Sequence, residues 1–162
     1  MVNVDLSLAQ SSEIWSRLIA LVGLKLRCIY LITYEYKGSV TSTNLFPQLL
    51  FENGSSMFFS PAADGESLKV DQIPWIDSFS NKDDPNTRDY LVKFGEWIQQ
   101  DVSSVDPYMF LIGFEVVSIL PIEHFGKLVG VIIEINHHQL KIVIEWDECH
   151  IFCKSSKSSL EK

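Results

Sequence analysis

The chain is short of several things, and each shortage removes a class of protein. No stretch reaches the eighteen or so consecutive apolar residues that a membrane-spanning helix needs, so no span is expected. Cysteine occurs three times, at 28, 149 and 153, an odd and sparse set that does not make a disulfide framework. The opening MVNVDLSLAQ has neither the basic start nor the apolar run of a secretory signal, so the expected compartment is a reducing cytoplasm with free thiols. Bases are outnumbered, 13 Lys and Arg against 21 Asp and Glu, for a net charge of −8. Such a surface repels phosphate, and nucleic acid is not an expected partner. Internal repeats are lacking too. So are the glycine-rich phosphate loops, the dinucleotide fingerprint, the nucleophile elbow and the paired-histidine zinc motif.

What is present is core material. Of 162 residues, 46% are hydrophobic and 12% aromatic, enough for one domain spanning 1–153. Residues 154–162, KSSKSSLEK, read as a disordered polar tail.

The most legible stretch is 127–152, which predicts a β-hairpin of 128–135 against 140–146 around Asn136-His137-His138-Gln139. With Ile135 opposite Leu140, the pairs Ile133–Ile142, Val131–Ile144 and Val129–Trp146 form one apolar face. Glu134–Lys141, Ile132–Val143 and Gly130–Glu145 form the other. A slip of one residue would turn the apolar set to water.

Upstream, Ile14, Trp15, Leu18, Ile19, Leu21 and Val22 recur at helical spacing after candidate caps at Ser7, Ser11 or Ser12, and Gly23 ends that helix. Residues 24–36 are apolar on both faces, the mark of an interior strand, with Cys28 read as core. Asn53-Gly54 predicts a two-residue turn with both φ positive between strands 45–52 and 55–60. A turn at Asp64-Gly65 leads into a fourth strand at 67–70.

Composition then shifts. Between 71 and 106 lie eight acids against three bases. Residues 71–87, DQIPWIDSFSNKDDPNT, form the longest loop, and Ile73, Trp75, Ile76 and Phe79 within it read as pins onto the core. The rival reading is an exposed aromatic contact patch inside an acidic rim. On that reading Asp71, Trp75, Asp77, Phe79, Asp83 and Asp84 are the candidate binding residues. Asp84-Pro85 starts a second helix, whose stripe Tyr90, Leu91, Phe94, Trp97 and Ile98 reads as core; it ends before Asp106-Pro107. Residues 108–120 then predict a second interior strand, ended by Pro121, and 147–153 a short last one.

One cluster invites a metal: His137, His138, Cys149, His150 and Cys153. On a strand, Cys149 and Cys153 would emerge about 13 Å apart, at roughly 3.3 Å per residue, too far for one ion. No metal and no cofactor is therefore expected, and no convergent acid–base group nominates a catalytic residue.

The expected fold is α+β: an antiparallel twisted sheet or open barrel of about seven strands, with two helices packed against it. The profile of a small, acidic, motif-free α+β chain resembles that of toxin-neutralising immunity proteins, a likeness of composition that carries no residue roles. It implies a non-enzymatic protein–protein interaction module that binds a basic partner. The alternative is a small-molecule-binding protein or enzyme, with an aromatic-lined pocket between helix and sheet. Ile132 and Val143, on the hairpin's outer face, add the expectation of a homodimer if that hairpin lies at a sheet margin.

Overall fold

The computed structural model describes residues 6–40, 44–77 and 82–156. Helix α1 (Leu6–Ile19) opens the chain, followed by β1 (Leu26–Tyr36), β2 (Ser39–Val40), β3 (Phe46–Phe51), β4 (Ser56–Pro61) and β5 (Leu68–Asp71). Helix α2 (Pro85–Phe94), β6 (Glu96–Asp101) and a 3-10 turn (Tyr108–Leu111) come next. Four strands close it: β7 (Val116–His124), β8 (Lys127–Ile135), β9 (His138–Glu145) and β10 (Glu148–Ser155). The class is α+β.

The strands form two antiparallel sheets rather than one. The first runs β2-β1-β3-β4-β5, with β6 on β1; the second runs β10-β9-β8-β7. They face each other, β3 against β10, β4 against β9 and β10, and β5 against β8. A single cluster between them takes Leu31, Leu49 and Phe59 from one sheet and Val131, Ile133 and Ile142 from the other. Leu18 of helix α1 and Leu21, just past its end, join that cluster, and Arg17 Nη1 donates to the carbonyl of Val70 at 3.2 Å. Two corners are stitched by backbone. Leu26 donates to Phe114 O at 3.0 Å and Gly113 to Leu26 O at 2.7 Å; Leu45 donates to Cys149 O at 3.0 Å.

Several expectations need correction. Helix α1 begins at Leu6, so Ser7, Ser11 and Ser12 lie inside it and are not caps; Ile19 and Val22 are exposed. Strand β1 is interior as expected, but a bulge between Leu26 and Cys28 moves Leu26 onto the core face and leaves Cys28 half-buried on the other. At Asn53-Gly54 only Gly54 has a positive φ, because the loop closes as Gly54 N–H to Phe51 O and Phe51 N–H to Ser55 O rather than as a two-residue turn.

The second helix stops ten residues in. Asp84 caps it, its carboxylate accepting from the amide of Thr87 at 3.3 Å, and Pro85 fills the first turn as expected. Gly95 (φ +81°) then breaks it, and Trp97 and Ile98 continue as β6, paired with Tyr34 and Thr33. A Cβ on Gly95 would lie 2.6 Å from the Glu35 carbonyl oxygen, so only glycine lets β6 close onto β1. Helix α2 buries none of its residues, so its stripe is not core.

Residues 108–120 are not an interior strand. The first part is the 3-10 turn, and β7 is an edge strand that runs through Pro121 to His124. Proline is tolerated there because an edge leaves one side of the backbone unpaired. At the other end β10 takes in Lys154 and Ser155, opposite Gln139 and His138, so the polar tail begins later than expected.

The hairpin of β8 and β9 forms, but its register is displaced by two. Asn136 and His137, at φ +50° and +59°, are the whole turn, and Ile135 pairs with His138, Ile133 with Leu140 and Val131 with Ile142. An even displacement keeps every side chain on its face, so the apolar set still points inward. Trp146, which leaves the strand, and Val129, displaced by a bulge, are the exceptions. The hairpin is also no margin: β8 lies between β7 and β9, and β9 between β8 and β10, so neither offers an unpaired edge.

Candidate functional site

The candidate residues of the acidic loop are individually engaged. Asp71 ends β5 and pairs with Lys69 at 3.7 Å. Asp77 pairs with Lys82 at 3.5 Å, and Lys82 also meets Glu96 at 2.8 Å. That hydrogen bond to Glu96 comes first among the causes that hold the Lys82 ammonium above its ordinary range. Asp83 pairs with Arg88 at 3.4 Å, and Asp84 is the helix cap. Trp75 is half-buried, and Phe79 lies outside the described residues. Ile73 and Ile76 are 72% and 75% exposed, so they do not pin the loop to the core; Val92, on α2, is 74% exposed.

A second locality lies on the face of the four-stranded sheet turned away from the core. An open groove of about 930 Å³ runs there over Ile122, Val129 and Val143. A bulge between Ile122 and Glu123 lets Leu128 into the core cluster and leaves Val129 on the groove side. Gly130, opposite Val143, keeps the floor open, since a Cβ there would strike the Ile142 carbonyl oxygen.

Three turns rim the groove. The β7–β8 tip carries Phe125-Gly126 at φ +49° and +75°, and the β9–β10 tip carries Trp146-Asp147 at +52° and +62°. In both, two successive positive φ values make a turn of the type that suits right-twisted hairpins, and that favours Asn and Gly. Here the first position instead holds a bulky aromatic, 91% exposed in Phe125 and 95% in Trp146. The third turn holds Asp64, Gly65 and Glu66. The amide of Asp147 donates to Gly65 O at 2.9 Å, and Lys127 Nζ reaches Glu66 Oε2 at 2.8 Å and Asp64 Oδ2 at 3.3 Å.

The charges divide into engaged and free. Asp64 accepts from the backbone amide of Ser67, which does most to hold its carboxyl well below the usual range; the Ser67 hydroxyl, the Glu66 amide and Lys127 add to it. Lys127 is raised by its bonds to Glu66 and then Asp64. Lys141 sits with its ammonium 6.0 Å from the Phe152 ring centre. Glu123, Glu145 and Asp147 are exposed and make no ion pair among the described residues. The groove rim is therefore acidic on balance, with two aromatic side chains standing in it.

Neither Phe125 nor Trp146 stood out in the sequence. The available signal was an aromatic residue inside a turn dipeptide, Phe125-Gly126 and Trp146-Asp147, but Trp146 also fits the period of β9. The cysteine and histidine cluster does not converge. Cys149 is buried on β10, Cys153 lies four residues along the same strand, and His138 stacks on Phe110 with ring centres 5.4 Å apart. Among the described residues no group of three or more His, Cys, Asp or Glu is placed to hold a metal ion, and no helix is long and apolar enough to cross a membrane.

The fold defines a two-sheet antiparallel α+β protein with an open, acid-rimmed groove at one end. Comparison of the chain with known protein families, curated proteins and solved structures finds no match.

Proposed function

We propose that the protein is a non-enzymatic protein–protein interaction module whose partner is basic, and that the groove of the four-stranded sheet is its contact surface. One observation carries this reading: Phe125 and Trp146 are almost fully exposed in conformations that cost a bulky side chain about 1 kcal/mol or more. Neither contributes to the core, so burial within the chain does not account for them. Exposed aromatics in a rimmed patch are the usual anchors of protein interfaces. Glu123, Glu145 and Asp147, which make no ion pair among the described residues, favour a basic partner and speed its encounter.

Capture experiments test it. Wild-type bait at low ionic strength should retain a protein rich in Lys and Arg. The double variant Phe125→Ala/Trp146→Ala should retain none of it, and added salt should release it from wild type. Equal retention by the double variant, or an acidic partner, defeats the reading.

A second contact surface is supported by α2, which buries none of its residues and exposes Val92, and by the exposure of Ile73 and Ile76 earlier in the chain. Among the described candidate residues, Asp71, Trp75, Asp77, Asp83 and Asp84 are assigned to that surface in this reading. Their ion pairs make it less electrostatic than the loop's acid content suggested. Ile73→Ser/Val92→Ser should weaken capture if this surface takes part, and leave it unchanged otherwise.

A further inference from the structure

The two hairpin tips stand side by side, because β7–β8 and β9–β10 are neighbouring hairpins of one sheet. Two strand spacings put them roughly 10 Å apart, at about 4.8 Å per strand. That gap is wider than one aromatic ring and suits an extended peptide lying between two of them. The floor of Ile122, Val129 and Val143 is apolar, while Glu145 and Asp147 flank Trp146 in the chain and Glu123 stands two residues from Phe125. Aromatic faces beside free carboxylates are a composition that recognises cations. The ring quadrupole attracts the charge, the carboxylates neutralise it, and an apolar floor accepts the methylene stem.

We propose that the groove binds an extended cationic peptide segment of the partner, seating a Lys or Arg side chain between Trp146 and Phe125 and its aliphatic neighbours on Ile122, Val129 and Val143. This rests on the interaction reading above and adds to it the chemistry of what is recognised. The turn of Asp64 and Glu66 is the wall of the site: Lys127 bonds both of its carboxylates and offsets one of their two charges, and Asp147 is bonded to it through Gly65. The backbone at Phe125 and Trp146 is set by two-residue turns, so no long loop has to be ordered on binding.

The test uses three peptides of equal length on one Leu/Gly frame, carrying Lys, Ser or Glu at the same positions. They are titrated into full-length protein and followed by amide chemical shifts. The Lys peptide should bind at least about tenfold more tightly than the Ser peptide, a difference of about 1.4 kcal/mol, and the Glu peptide should not bind. Shifts should concentrate at 64–66, 122–129 and 141–147. Trp146→Leu, which keeps the apolar bulk, should abolish the preference for Lys over Ser, and Trp146→Phe should keep it. Glu145→Gln/Asp147→Asn should weaken Lys-peptide binding and flatten its salt dependence.

Equal binding of the Lys and Ser peptides, both lost in Phe125→Ala/Trp146→Ala, overturns cation recognition and leaves the interaction surface standing. Lys-peptide shifts confined to 71–94 overturn the choice of groove. Binding of tetramethylammonium as tight as that of the peptide makes the site one for a small cation and overturns the peptide. A dimer that Trp146→Leu dissociates assigns the groove to a second copy of the chain, and overturns it as well. All these variants lie at exposed positions, and their thermal unfolding serves as the control for folding.

Discussion

The amide of Asp147 donates to the carbonyl oxygen of Gly65 at 2.9 Å, which ties the tip carrying Trp146 to the turn carrying Asp64. Those residues are distant in the chain and belong to different sheets. The bond sets one end of the groove, and a Cβ on Gly65 would press on the Asp147 side chain at 3.3 Å. The site exists because the two sheets pack, not because any one segment contains it.

Strain at the tips makes a prediction about stability. Replacing Trp146 or Phe125 by Asn puts the residue favoured at that turn position where a bulky ring now sits. Each variant should gain about 0.5–1 kcal/mol in denaturant unfolding while losing the contact surface. Destabilised Asn variants would mean that the rings pack against the fold.

The Asp64 carboxyl is held below its ordinary value of 3.8, chiefly by the Ser67 amide. A depressed folded pKa contributes stability that is present above 3.8 and is lost as pH falls below it. With 39% of its side chain exposed, solvent screening limits this to about 1 kcal/mol. Asp64→Asn should therefore be less stable than wild type at pH 7, and the gap should close progressively below pH 3.8. A gap that stays constant down to pH 2 would show that charge is not the cause.

Gly130→Ala forces a methyl group against the Ile142 carbonyl oxygen and toward Ile122 Cδ1, at 3.2 Å. Backbone cannot yield there without parting β8 from β9. A loss of about 1–3 kcal/mol is expected by urea denaturation. A neutral result would mean that the strands sit farther apart than the paired register implies.

Burial pushes the Cys149 thiol up to about 12 and the Cys153 thiol up to about 11, the latter with help from Asp106. Reaction with iodoacetamide proceeds through the thiolate, so at pH 8 both should be inert in the folded protein. Half-buried Cys28 should be the thiol that reacts, and all three should react in guanidinium. Rapid modification of Cys149 in the native state would refute the packing of β10 against β3 and β4.

Much of the strand pattern is written in the chain, because alternation reports which side chains share a face. Ile133, Ile142 and Leu140 are buried as their spacing requires. Alternation has a period of two, however, and is blind to an even displacement, which is why Ile135 pairs with His138 and not Leu140. Choosing between those registers is the work of turn geometry, with Asn136 and His137 alone closing the hairpin.

Helical periodicity misled at Tyr90–Ile98 for a related reason. The spacing of Trp97 and Ile98 fits a helix, yet Gly95 permits the break and pairing with β1 decides it. Local residues determined the cap at Asp84, the positive φ at Gly54 and Gly65, and the acidic balance of the whole. Packing decided the rest. It split the strands into two sheets, placed Pro121 on an edge, lifted Trp146 out of its strand into a tip, and brought Asp64, Phe125 and Trp146 around one groove. Sequence fixes what each residue prefers within a few neighbours; only closure of the core fixes which distant turns meet.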